Sequence, residues 1–110
     1  MDRKFDRLSP YNISDDLIRG ELYREIRDGA KNLATGWIEH TIQPDERLMP
    51  ELAAYREYKT DTLKWVVLVV AGLDDYRESL PVGEVLRLPP LVWVRQRIKY
   101  WTEREEAMNG

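Results

Sequence analysis

Apolar residues in the first third of the chain recur at three- and four-residue spacing, which places them on one face of a helix. This stripe comprises Ile18, Leu22, Ile26, Ala30, Leu33 and Trp37. Ser14, followed by two aspartates, is typical of a helix start, because its hydroxyl can accept hydrogen bonds from free backbone N–H groups. We therefore predict a first helix, helix A, over residues 15–41. Its glycines mark bends or close helix approaches: Gly20, Gly29 and Gly36.

A second stripe begins at Pro50, a residue that suits the first turn of a helix because its missing N–H group is not needed there. It contains Leu52, Tyr55, Thr62, Leu63, Val66, Val70 and Leu73, and Tyr76 and Leu80 extend it. Residues 65–70 are rich in β-branched side chains, so a buried strand is the alternative there. We favour one helix B from about 50 to 80, because the helical pattern continues on both sides. Val66, Val70 and Leu73 should then be fully buried.

A third helix, helix C, is predicted at about 90–107, after the pair Pro89-Pro90. Its core face comprises Leu91, Val94, Ile98 and Trp101. Residues 1–13 are expected to form a partly ordered arm, which side chains such as Phe5, Leu8, Tyr11 and Ile13 could anchor to the helices. The expected fold class is all-α: an antiparallel pair of long helices, A and B, closed by helix C. Residues 1–110 should form a single helical domain.

The composition argues against several classes of protein. The net charge of −3 argues against a strongly basic nucleic-acid binder, and the absence of cysteine excludes thiolate sites and favours a reducing compartment. The charged N-terminus lacks the apolar core of a signal peptide. The one long apolar run, residues 65–73, is well short of the roughly 20 residues that span a bilayer. We expect a cytoplasmic protein that does not enter a membrane.

Helix C carries the strongest indication of a partner. Trp93 and Tyr100 are seven residues apart, on the side away from its core face, with Arg97 and Arg104 nearby. Residues 85–102 hold four basic residues and no acid, on a chain that is otherwise acidic. Aromatic and arginine side chains are enriched at interface hot spots, so these four residues form the predicted partner-binding set. The alternatives are that the aromatic residues cover the ends of helices A and B, or that they stack on nucleic acid.

Acidic side chains lie on or beside the face of helix A opposite its core stripe: Glu21, Glu25, Asp28 and Glu39. Such a run is usually a solvated surface. The alternative is electrostatic pairing with the basic helix of another copy, which would give head-to-tail assembly.

Part of this acidic set resembles the all-α nucleotide pyrophosphohydrolases, in which a Glu-Glu-x-x-Glu stretch faces a Glu-x-x-Asp stretch and holds magnesium. Glu21 and Glu25 match the first stretch apart from Leu22, and Asp61 matches the end of the second. The resemblance covers three of five ligand positions and implies a magnesium-dependent hydrolase. Helix packing directs these acids outward, however, so we predict no metal site and no cofactor.

No arrangement of residues indicates nucleophilic catalysis, and His40 is expected to cap the end of helix A. The sequence therefore favours a non-catalytic interaction or assembly subunit, one that docks to itself or to a larger protein machine and has a possible regulatory role. Its ten tyrosine and tryptophan residues exceed what three helices can bury, which favours a homo-oligomer or a protein partner. The hydrolase and a small nucleic-acid-associated helical protein are the alternatives.

Overall fold

The computed structural model describes residues 6–109. The regular elements of this range are four helices and two short strands, together with single 3-10 turns at Pro10–Asn12 and Pro44–Glu46. In chain order the elements are α1 (Asp16–Lys31), β1 (Ile38–Thr41), α2 (Pro50–Tyr58), α3 (Lys64–Ala71), β2 (Val85–Leu88) and α4 (Leu91–Asn109). The predicted all-α class is wrong, because the two strands pair into an antiparallel sheet and the long helix pair does not form.

Helix α1 has the predicted core stripe but not the predicted length. Asp15, rather than Ser14, caps its start, since the Asp15 carboxylate accepts hydrogen bonds from the backbone N–H groups of Leu17 and Ile18. Ile18, Leu22 and Ile26 are buried, as the spacing predicts. The helix ends at Lys31 because Leu33 adopts a left-handed backbone with φ of 56° and Gly36 one of 84°. The chain then reverses, so residues 38–41 form a strand instead of the last turn of helix A.

The two strands pair with each other although they lie far apart in the sequence. In their register Ile38 lies opposite Leu88 and His40 opposite Leu86. Every second residue faces the core, since His40, Leu86 and Leu88 are buried whereas Glu39 and Val85 are exposed. This pairing places His40 inside the molecule rather than at a helix terminus.

Helix B is two helices rather than one. Lys59 ends α2 with a left-handed backbone, φ of 61°, and the hydroxyl of Thr60 accepts a hydrogen bond from the Thr62 N–H group in the turn that follows. The β-branched run is helical, within α3, and Gly72 ends that helix. Val66 is fully buried as predicted, but Val70 is only half-buried, as is Leu73, which lies beyond the end of α3.

Helix α4 matches the predicted helix C closely, and Val94 and Ile98 are buried on its core face. Glu105 fixes its far end to the start of α1. The buried Glu105 carboxylate accepts hydrogen bonds from the Ser14 N–H and hydroxyl groups and from the Asp15 N–H group, the last at 2.6 Å. One cluster of buried side chains joins α1, α3, β2 and α4. Among residues 6–109, no helix has the length and hydropathy that crossing a bilayer requires.

Candidate functional site

The four predicted partner-binding residues of α4 divide into two inward and two outward side chains. Trp93 is half-buried, and its indole packs edge-on against that of Trp37, with ring centroids 5.1 Å apart. Arg97 donates to both carboxylate oxygens of Glu25 on α1, at 3.0 and 2.6 Å. Trp101 donates its indole N–H to the same carboxylate at 2.7 Å. Trp93 and Arg97 therefore help to hold α4 on the rest of the chain.

Tyr100 and Arg104 face solvent. The Tyr100 ring lies 4.2 Å from the Arg97 guanidinium carbon and packs edge-on against Trp101, which fixes its position while 44% of the residue stays exposed. Two clefts of about 670 and 460 Å³ lie side by side along this surface and share lining residues. We define the α4 outer face as Val92, Arg95, Gln96, Lys99, Tyr100, Glu103 and Arg104, all of which are exposed.

Most of the acidic side chains predicted on helix A form ion pairs within the chain. Glu25 pairs with Arg97, as described above, and Glu21 pairs with Arg24 one turn away. Glu39, now on β1, lies 3.3 Å from Arg87 on β2. The pairing of an acidic and a basic helix that the sequence allowed between copies thus exists within one copy.

The side of α1 that faces away from the core carries a row of exposed side chains. Leu17, Glu21, Arg24 and Asp28 follow one another at four- and three-residue spacing and are all exposed. Leu17 is exposed to 84%, the largest value among the bulky apolar side chains of the described chain. We call these four residues the α1 outer face.

The magnesium alternative gains no geometric support. Glu25 is held by Arg97 and Trp101, so it is not available to a cation without breaking that cluster. Within residues 6–109 no group of three or more acidic or histidine side chains is placed to hold a metal ion.

A buried ionic cluster around His40 was missed by the sequence reasoning. The His40 ring lies between two carboxylates, with Nε2 at 2.8 Å from Glu46 and Nδ1 at 2.8 Å from Glu57. Glu46 is fully buried, and it also accepts hydrogen bonds from the Gln43 N–H group and from Arg56. Because a carboxylate only accepts hydrogen bonds, both ring nitrogens donate when His40 carries its positive charge.

The pKa directions agree with this arrangement. Burial acts to lower the pKa of His40, but its hydrogen bonds to Glu57 and Glu46 outweigh burial and raise that pKa above the ordinary 6.5. Burial acts to raise the pKa of Glu46, and the hydrogen bonds from Gln43, His40 and Arg56 hold it below the ordinary 4.5. The cluster therefore joins β1, the turn at Pro44–Glu46 and α2 through buried hydrogen bonds.

The comparisons with known proteins are negative. No protein-family model, no curated protein and no solved structure matches this chain.

Proposed function

We propose that this protein is a non-catalytic assembly subunit that docks through the α4 outer face, and that the occupant of this face is a second copy of the chain. The observation that carries the proposal is a set of exposed positive charges that no carboxylate of the described chain pairs with. Arg95, Lys99 and Arg104 are exposed on α4, and none of them has an ion-pair partner within the described part of the chain. They lie beside Tyr100 along two adjoining clefts.

Charge complementarity favours a second copy. Arg87 and Arg97 are already paired within the chain, but the α4 outer face keeps three basic side chains, Arg95, Lys99 and Arg104, beside one acid, Glu103, whereas the whole chain has a net charge of −3. The rest of the chain is therefore acidic overall, and acidic side chains of a neighbouring copy would attract this face.

The α1 outer face is the matching surface. It offers Asp28 to the basic side chains of α4, together with Glu21, which an exposed pair with Arg24 holds only weakly, and the exposed Leu17 to the apolar part of Tyr100. A two-fold arrangement that places α1 of each copy on α4 of the other would use this pair of faces twice.

The experiment is sedimentation equilibrium in low-salt buffer over a range of micromolar concentrations. We expect a mass above the 13.1 kDa of one chain. The double variant Tyr100→Ala/Arg104→Glu should weaken association by roughly 30-fold, because aromatic and arginine side chains dominate interface energies. Tyr55→Ala/Lys59→Glu is the matched control, since both residues are exposed on a different helix or at its end. Its association should equal that of the wild type.

A charge exchange tests the assignment of the partner face. The variant Glu21→Arg/Asp28→Arg should associate weakly with itself but should bind the Arg104→Glu chain, because each substitution restores the opposite charge to the other. A single-chain mass at every concentration up to about 1 mM, the range of the weakest specific complexes, overturns the proposal. Loss of single-stranded nucleic-acid binding in the α4 variant, with self-association unchanged, also overturns it.

A further inference from the structure

A third cleft, of about 330 Å³, lies away from the α4 outer face and is walled by aromatic rings. Its rings come from four separate parts of the chain: Tyr11 in the first 3-10 turn, Tyr23 on α1, Trp65 on α3, and Tyr76 in the segment after α3. Four aromatic side chains from distant positions in the sequence therefore meet at this cleft. Sites for small molecules typically combine such apolar walls with a few placed polar groups.

The inner rings are held in place by contacts that leave the cleft open. The Trp65 indole N–H donates to the Leu8 carbonyl at 2.8 Å, and the Tyr23 ring lies 5.9 Å from the Trp65 ring. Arg19 places its guanidinium 4.8 Å from the centre of the Tyr11 ring. The same guanidinium donates to the Ile13 carbonyl and pairs with Asp16. This wall is therefore organised before a ligand arrives, which lowers the entropic cost of binding.

Two opposite charges stand at the mouth of the cleft. Asp61 and Lys64 both line it and are both exposed, and neither side chain forms an ion pair or a side-chain hydrogen bond anywhere in residues 6–109. Lys64 is nevertheless positioned, because its ammonium lies over the Tyr76 ring, 5.0 Å from the ring centre. The cleft thus presents one carboxylate, one ammonium and an aromatic interior.

We propose that this cleft binds a small zwitterion with an aromatic body, which is the chemistry of a free aromatic α-amino acid. The ligand's ammonium group would meet the Asp61 carboxylate and the electron-rich faces of the tyrosines, and its carboxylate would meet Lys64. Its ring would pack against Tyr23 and Trp65. The cleft is at the small end of the range of small-molecule sites, roughly 300 to 1,000 Å³, which suits a ligand of this size.

The experiment is calorimetric titration of the full chain with phenylalanine and with analogues that each lack one recognised group. Phenylalanine amide lacks the carboxylate, N-acetylphenylalanine lacks the ammonium group, and glycine lacks the ring. Each analogue should bind weaker by on the order of tenfold or more, the loss expected for one charge-assisted contact or one stacked ring.

Variants identify the site on the protein. Asp61→Asn and Lys64→Met should each weaken phenylalanine binding by on the order of tenfold, without changing thermal unfolding, because both side chains are exposed. Asp74→Asn and Lys59→Met are the matched controls, since they are exposed outside the cleft, and they should bind as the wild type does. The assignment is wrong if no aromatic amino acid binds at millimolar concentration, if the amide and the acetylated analogue bind as well as phenylalanine, or if phosphocholine binds and phenylalanine does not.

Discussion

Trp37 packs against the end of α1 and also against α4. After Lys31 the chain reverses through the left-handed conformations of Leu33 and Gly36, and this turn returns Trp37 onto the helix that it has just left. The Trp37 indole occupies the space beside Gly29, where a Cβ atom would overlap the six-membered ring. On its other side the indole meets Trp93 of α4. Gly29 is thus a site of close approach, one of the two roles that the sequence suggests for the glycines of this helix.

The two glycines within α1 should respond in opposite ways to the same substitution. Gly20→Ala should raise the free energy of unfolding by about 0.5–1 kcal/mol, because nothing lies within 4 Å of the added Cβ and alanine favours a helix. Gly29→Ala should lower it by about 1–3 kcal/mol, because the overlap with Trp37 forces the indole or the helix to move. Urea unfolding of both variants measures the difference. A stabilised Gly29→Ala chain would show that Trp37 does not pack there.

At the level of elements, the sequence predicted the helical faces well and the ends of the elements poorly. The stripes at Ile18, Leu22 and Ile26 and at Val94 and Ile98 are buried because three- and four-residue spacing defines a helix face regardless of its neighbours. The end of α1 was missed because Leu33, a good helix former, adopts a left-handed backbone there. The break after Tyr58 was missed because Lys59 does the same, and only the hydroxyls of Thr60 and Thr62 mark the turn.

The strands and the buried cluster were missed for a common reason. Four-residue strands carry little periodicity, and β1 finds its partner far along the chain, so neither strand is evident from its local pattern. His40 was expected at a helix end, and its partners Glu46 and Glu57 meet it only once β1 and α2 are in place. A local signal did exist, since Glu46 follows Gln43 at the spacing at which its carboxylate accepts the Gln43 N–H group.

On α1, the Glu25 carboxylate binds two side chains of α4, Arg97 and Trp101. We expect Glu25→Gln to lower the free energy of unfolding by about 2 kcal/mol, because Arg97 loses a charged acceptor for two hydrogen bonds in a half-buried setting. Glu21→Gln on the same helix is the control, and its effect should be below about 0.5 kcal/mol, since Glu21 forms only an exposed pair with Arg24. Chemical denaturation gives both values. Equal losses in the two variants would contradict the role assigned to Glu25.

The His40 cluster joins three successive parts of the chain, all within residues 40–57. It connects β1 to the turn at Pro44–Glu46 through Glu46, and to α2 through Glu57 and Arg56. Arg56 also pairs with Asp45, which extends the cluster to the surface. Because His40 is the only histidine of the chain, the pH dependence of stability just above neutrality should depend mainly on this cluster.

The stability of the fold should therefore be greatest in mildly acidic solution. The pKa of His40 is raised above 6.5, so its contribution is complete below that pH and is lost as the pH rises through the folded-state value. The pKa of Glu46 is held below 4.5, so its contribution is complete above that pH and is lost as the pH falls through the folded-state value. Both contributions are present together between about pH 4.5 and 6.5.

Thermal and urea unfolding across pH 4 to 9 should show this maximum. Above it the free energy of unfolding should fall by at most about 1.4 kcal/mol per pH unit, the limit for one titrating group. His40→Gln should cost about 3 kcal/mol at pH 6, because the fully buried Glu46 loses a charged partner, and it should remove the decline above neutrality. An unchanged decline in this variant would mean that another group, such as the terminal amine, titrates there. That result would mean that folding does not raise the pKa of His40, and it would contradict the stabilisation of its charged ring by Glu46 and Glu57.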